Sequence, residues 1–153
     1  MTIISAMNPE RKCEFEVSCI LRCWGDELDF EKLGDDLNLN SEYCRVINKG
    51  EGIGKSGCDF KGRAKTSSFS YGCLDEFPDW KRLPYKQIEH ICNALSSLED
   101  NTLFSYKVWK AEFQISCYYG NRTEEGHVEI FFENKVVDLL SKHNVSLRNT
   151  ILP

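Results

Sequence analysis

An α+β domain, with a mainly antiparallel sheet and about three helices packed against it, is the fold class that the sequence predicts. Three observations lead there. Residues 13–23 and 109–119 alternate apolar and polar side chains with period two, as half-buried strands do. Three stretches carry apolar residues at helical spacing: Phe30, Leu33 and Leu37; Ile88, Ile91, Cys92 and Leu95; and Val136, Leu139 and Leu140. Strand signals follow one another through turns more often than they alternate with helices, which disfavours a parallel βαβ sheet.

The chain has 153 residues, enough to bury one core without metal or disulfide support. A polar lead-in, 1–12, is expected to fray. The domain proper is 13–153. In the first strand Cys13, Phe15, Val17, Cys19, Leu21 and Cys23 share a face. Gly25-Asp26 ends it. Asp26 or Asp29 can cap a short helix, and Gly34 weakens that helix by about 1 kcal/mol relative to Ala. Residues 41–49 read as a second strand. The Gly-rich, basic stretch 49–65 reads as a mobile loop. Phe69, Tyr71 and Cys73 mark a third strand, and Trp80 anchors a polar connection. Pro84 suits the first position of a helix that runs to about Leu98. After the strand at 109–119, a turn at 120–126 leads back through Val128, Ile130 and Phe132, predicting a hairpin. A helix at 134–142 and a strand through Val145, Leu147, Asn149 and Ile151 close the chain.

Charge and cysteines narrow the function classes. The net charge is −5 and the pI about 5.3, so a direct nucleic-acid partner is not expected. Eight cysteines, 13, 19, 23, 44, 58, 73, 92 and 117, would allow a disulfide framework. The segment MTIISAMNPERK has no apolar signal-peptide core, so a cytoplasmic protein with mostly reduced thiols is expected. No apolar run approaches a membrane span.

Motifs for chemistry are sparse. Gly52-x-Gly54-x-x-Gly57 spells the dinucleotide fingerprint, but that motif must open a helix, and CDFKGRAKTSS has no helical stripe. The residues Lys49, Gly50, Glu51, Gly52, Gly54 and Lys55 form a possible ligand loop on the alternative reading, a small-molecule or nucleotide-binding module. No Cys/His spacing suits a metal, and no cofactor is implied. His90 and His143 read as solvated residues on helices, and His127 opens a strand. No sequence-local pairing sets a catalytic group, so no enzyme is expected.

The densest signal is acidic. Asp26, Glu27, Asp29, Glu31, Asp35, Asp36 and Glu42 face only Lys32, which gives residues 26–42 a formal −6 against −5 for the whole chain. Such a run is a solvated helix face, a surface for a basic partner, or a site for a hard cation. The spacing does not match an EF-hand loop.

The segments Trp24-Gly25-Asp26-Glu27-Leu28-Asp29-Phe30-Glu31-Lys32-Leu33, Lys49-Gly50-Glu51 and Phe69-Ser70-Tyr71, with the closing stretch 131–152, together resemble a family of small bacterial α+β domains. The family carries no established enzymatic activity and recurs among the immunity genes of toxin systems, including contact-dependent growth inhibition. Phe30 stands where the family usually has Pro, and Phe69 where it commonly has Trp. The resemblance implies an immunity protein that binds and neutralises a cognate toxin domain. The acidic stretch would suit a basic nuclease as that partner.

Overall fold

The computed structural model describes residues 8–53, 62–118 and 129–152. Strand β1 (Glu16–Gly25) is the middle of a five-stranded sheet. It pairs antiparallel with β5 (Ser67–Gly72) on one side and with β6 (Lys110–Tyr118) on the other. β2 (Cys44–Ile47) lies antiparallel on the outside of β5. β7 (Val145–Leu152) runs parallel on the outside of β6. The order is β2-β5-β1-β6-β7. A separate two-stranded ribbon joins β3 (Gly52–Ile53) to β4 (Gly62–Arg63).

The strong alternation of β1 sets the core. Val17, Cys19, Leu21 and Cys23 are wholly buried, and Phe69, Tyr71, Phe113 and Ile115 lie on the same face by register. Helix α3 (Pro84–Ser96) covers that face with Ile88, Ile91, Cys92 and Leu95. Helix α4 (Asn134–Lys142) adds Val136, Leu139 and Leu140. Helix α1 (Phe30–Asp36) inserts Leu33, followed by Leu37. The seven described cysteines are free, five of them buried as small apolar side chains.

Gln87 on α3 ties helix to sheet. β5 reaches only as far as Gly72, opposite Ile20. Beyond that point the carboxamide of Gln87 takes over the ladder. Its Oε1 accepts from the Cys19 backbone N–H at 2.9 Å, and its Nε2 donates to the carbonyls of Val17 at 2.8 Å and Trp80 at 2.7 Å. Elsewhere Gly25 lies very close to another backbone segment. A Cβ on Gly25 would sit 2.3 Å from the Lys107 carbonyl oxygen, so only glycine fits there.

Three expectations need correction and one needs refinement: three of the four pairings in the sheet are antiparallel, as expected. The sheet is mixed, because its fourth pairing, β6 with β7, is parallel. The hairpin return does not form a strand over 129–133. Ile130 and Phe132 instead pack against the core as irregular chain, and Val128 lies outside the described residues. The long crossover through α4 lets β7 take the edge position beside β6, as parallel neighbours require. The helices number four among the described residues, since the segment after β5 winds into a one-turn α2 (Cys73–Glu76) and then a 3-10 turn, Pro78–Arg82. The strand expected from residue 13 starts at Glu16, with Cys13 hydrogen-bonded to Arg82 instead. No described helix is long and apolar enough to cross a membrane.

Candidate functional site

Helix α1 is built so that its acids must face solvent. Asp29 caps it, Oδ1 accepting from the Lys32 backbone N–H at 3.2 Å. Leu28, Leu33 and Leu37 are buried, which fixes the helix's rotation and turns the carboxylates outward. All seven acids of the predicted partner surface, Asp26, Glu27, Asp29, Glu31, Asp35, Asp36 and Glu42, are exposed.

The structure then divides them. Asp26 lies 3.8 Å from Lys49, and Glu27 2.9 Å from Lys107. Asp36 pairs with Lys32 at 2.9 Å and accepts from the Tyr106 hydroxyl at 2.5 Å. The Lys107 hydrogen bond holds the Glu27 carboxyl below the usual range, and Lys32 and Tyr106 do the same for Asp36. Glu31, Asp35 and Glu42 make no ion pair among the described residues. Asp35 also sits in the last turn of α1, where no basic residue answers the negative end of the helix dipole. Among the described residues no cation pairs with a carboxylate there.

Two of those acids, Glu31 and Asp35, line a groove. It is about 270 Å³, lies between α1 and the β2 edge, and has Phe30, Gly34, Val46 and Phe69 along its floor with Glu31 and Asp35 at its lip. Ser41 closes one end, and Glu42 follows it in the 3-10 turn Ser41–Tyr43. β2 pairs only with β5, so its outer backbone edge has no partner strand among the described residues. An apolar floor, an acidic rim and an open strand edge can together hold an extended or helical segment that is basic outside and apolar at one or two anchors.

The possible ligand loop takes a different shape from the one a phosphate site needs. Lys49 donates its backbone N–H to Ser67 Oγ at 2.9 Å. Gly50 donates to the Ala64 carbonyl at 2.8 Å, and Ala64 returns a bond to the Glu51 carbonyl at 2.8 Å. The Glu51 carboxylate accepts from Asn48 at 2.7 Å, and Gly52 enters β3. The base of the predicted mobile loop is therefore an ordered ribbon whose amides are committed to the opposite strand. Among the described residues no helix starts there. Gly54 and Lys55 lie outside the described residues.

Two histidines contradict the solvated reading. His90 is half buried, with Nε2 at 2.8 Å from the Tyr71 hydroxyl, which also donates to Glu76. Phe77 and Trp80, stacked at 3.9 Å, present their faces to the His90 ring edge. Burial lowers the His90 pKa, against the opposing pull of Glu76, and raises that of Tyr71. The cluster ties β5, α2 and α3 together through these hydrogen bonds and ring contacts. His143 is 2% exposed, and neither ring nitrogen has a hydrogen-bond partner among the described residues. The missed signal was helical spacing: His143 falls three and four residues after Leu140 and Leu139, on the apolar stripe of α4. Among the described residues no group of three or more His, Cys, Asp or Glu is placed to hold a metal.

No family model, curated protein or solved structure matches the chain.

Proposed function

We propose that this chain is an immunity-type protein, which binds a basic toxin domain through the α1 groove and neutralises it without chemistry of its own. The observation that carries the reading is that Glu31 and Asp35, unpaired among the described residues, line a largely apolar groove, with the exposed Glu42 next to Ser41 at its end. The resemblance of the sequence to small immunity-gene domains points the same way. In this reading the acids steer a cationic partner and set its orientation, while an apolar anchor seated over Phe30 and Val46 slows its release. Asp26, Glu27 and Asp36 contribute less, because their charge is already answered by Lys49, Lys107 and Lys32.

The test begins by asking whether a neighbouring gene encodes an exported protein with a toxic C-terminal domain, and takes that domain as the partner. Co-expression with this chain protects cells if the reading holds. The triple reversal Glu31→Lys, Asp35→Lys and Glu42→Lys then abolishes protection. It also lowers the association rate about tenfold or more at low salt, with little change in Tm. Full protection by the triple variant, or an association rate indifferent to salt, would remove the acidic groove from the interface.

A further inference from the structure

We propose that the β7 edge is a homodimer interface, at which two copies of the chain pair their β7 strands antiparallel about a twofold axis at Asn149 and join their sheets into one. This surface lies at the opposite edge of the sheet from β2 and the α1 groove, and it does not depend on the immunity reading.

The two outer strands of the sheet differ. β2 is four residues long and offers little backbone to pair with. β7 is eight residues long and pairs only with β6 among the described residues. Alternate residues of such a strand turn their backbone N–H and C=O outward, where another strand can take them. Edges of this length are usually blunted by proline, lysine or a bulge. β7 has neither proline nor lysine, and its register runs from Val145 to Leu152 without a slip. Its one charge, Arg148, lies 3.8 Å from Glu112 on β6.

Apolar surface collects along the same edge. The register with β6 puts Leu147, Asn149 and Ile151 on the helix-covered face, opposite Phe113, Ile115 and Cys117. The helix layer stops short of them, so Leu147 is 42% and Ile151 66% exposed. Half-exposed Val137 lines one open groove with Leu147, and half-exposed Phe131 lines a second with Ile151. An apolar stripe beside an unpaired strand edge marks an interaction surface.

The side chains select a second copy and fix its register. Opposite residues in an antiparallel ladder point to the same face, so a twofold axis normal to the sheet must pass where one residue meets its own copy. Axes at Arg148 and at Asn149 each overlap seven of the eight residues of β7, and every other axis overlaps five or fewer. The axis at Arg148 sets two guanidinium groups directly opposite each other, which is repulsive. The axis at Asn149 sets Leu147 against Ile151 of the second copy, and Ile151 against Leu147. On the other face it sets Arg148 against Thr150, and Ser146 against Leu152. Both exposed aliphatic side chains of the strand are then covered, with no like charges directly opposed.

The experiment follows the full chain by sedimentation equilibrium up to about 0.5 mM. One strand pair makes a small interface, so a reversible monomer–dimer equilibrium of roughly micromolar affinity is expected. Ile151→Lys, a change at an exposed position, weakens it about tenfold or more and leaves the Tm of the dilute protein unchanged. Thr150→Glu tightens it several-fold at low salt, because each new carboxylate faces Arg148 of the second copy, and the gain vanishes when Arg148→Ala is added. A chain that stays monomeric to that concentration would overturn the proposal and leave the edge to another segment or another protein. So would a dimer that Ile151→Lys leaves intact, or one that Thr150→Glu fails to tighten.

Discussion

Gln87 and His143 are both polar, both on or at the end of helices, and both almost fully buried. They are treated in opposite ways. Gln87 spends its carboxamide on three backbone groups, two of them on the central strand. His143 spends nothing among the described residues. A buried amide that completes a ladder is a fastener, since removing it strands the groups it satisfied. A buried imidazole beside a cavity is the reverse, a group whose removal strands no one. The His90 cluster stands between them, satisfied but only half buried.

That contrast can be broken most sharply at Gln87. Gln87→Leu keeps the volume roughly constant but takes the Gln87 partner from the Cys19 N–H and the Val17 carbonyl, while the Trp80 carbonyl still accepts from the Leu83 N–H. A loss of about 3 kcal/mol is expected, read by urea unfolding with the m-value unchanged. A loss below about 1 kcal/mol would mean that β1 holds to the helix layer by apolar packing alone.

Acid is the next lever. Both His90 and His143 have their pKa lowered in the folded chain, mainly by burial. Unfolded histidines therefore bind protons more readily than folded ones. The stabilisation is complete above about pH 6.5, the ordinary histidine value, and is lost as pH falls below it through the lower folded values. Urea midpoints should be flat from pH 8 to 7 and decline between pH 6.5 and 5. A flat profile throughout would show that both rings protonate in place.

The smallest effect belongs to His143→Leu. Two unsatisfied polar atoms leave and none is created, so the change in stability should lie within about 1 kcal/mol of zero and can be favourable. The same substitution should also remove part of the acid decline. A large destabilisation would show that the ring has a partner after all.

Much of this fold was legible in the sequence, and the illegible parts share a cause. β1, β6, α3 and α4 announce themselves through local periodicity, because each buries one face and exposes the other. The exposure of Glu31 and Asp35 was equally readable, since Leu33 and Leu37 fix which way α1 turns. What could not be read depends on residues far apart in the chain. Lys49 and Lys107 reach the acids from distant segments, which singles out Glu31, Asp35 and Glu42 only in three dimensions. The Val128, Ile130 and Phe132 alternation imitates a strand, yet the place beside β6 goes to β7, a partner delivered by α4. Tyr71, Glu76 and His90 come from β5, α2 and α3, and no local spacing links them.

The position of β1 has a consequence in time. It comes first among the described strands, yet its neighbours are β5, which begins at Ser67, and β6, which begins at Lys110. About forty residues must follow β1 before its first partner exists, and more than eighty before its second. At ribosomal speeds of roughly 5–20 residues per second, an alternating strand with four core residues waits several seconds with one or both edges open. The chain therefore folds late and all together, and it is during that wait, rather than in the finished sheet, that it is most open to association with other nascent chains.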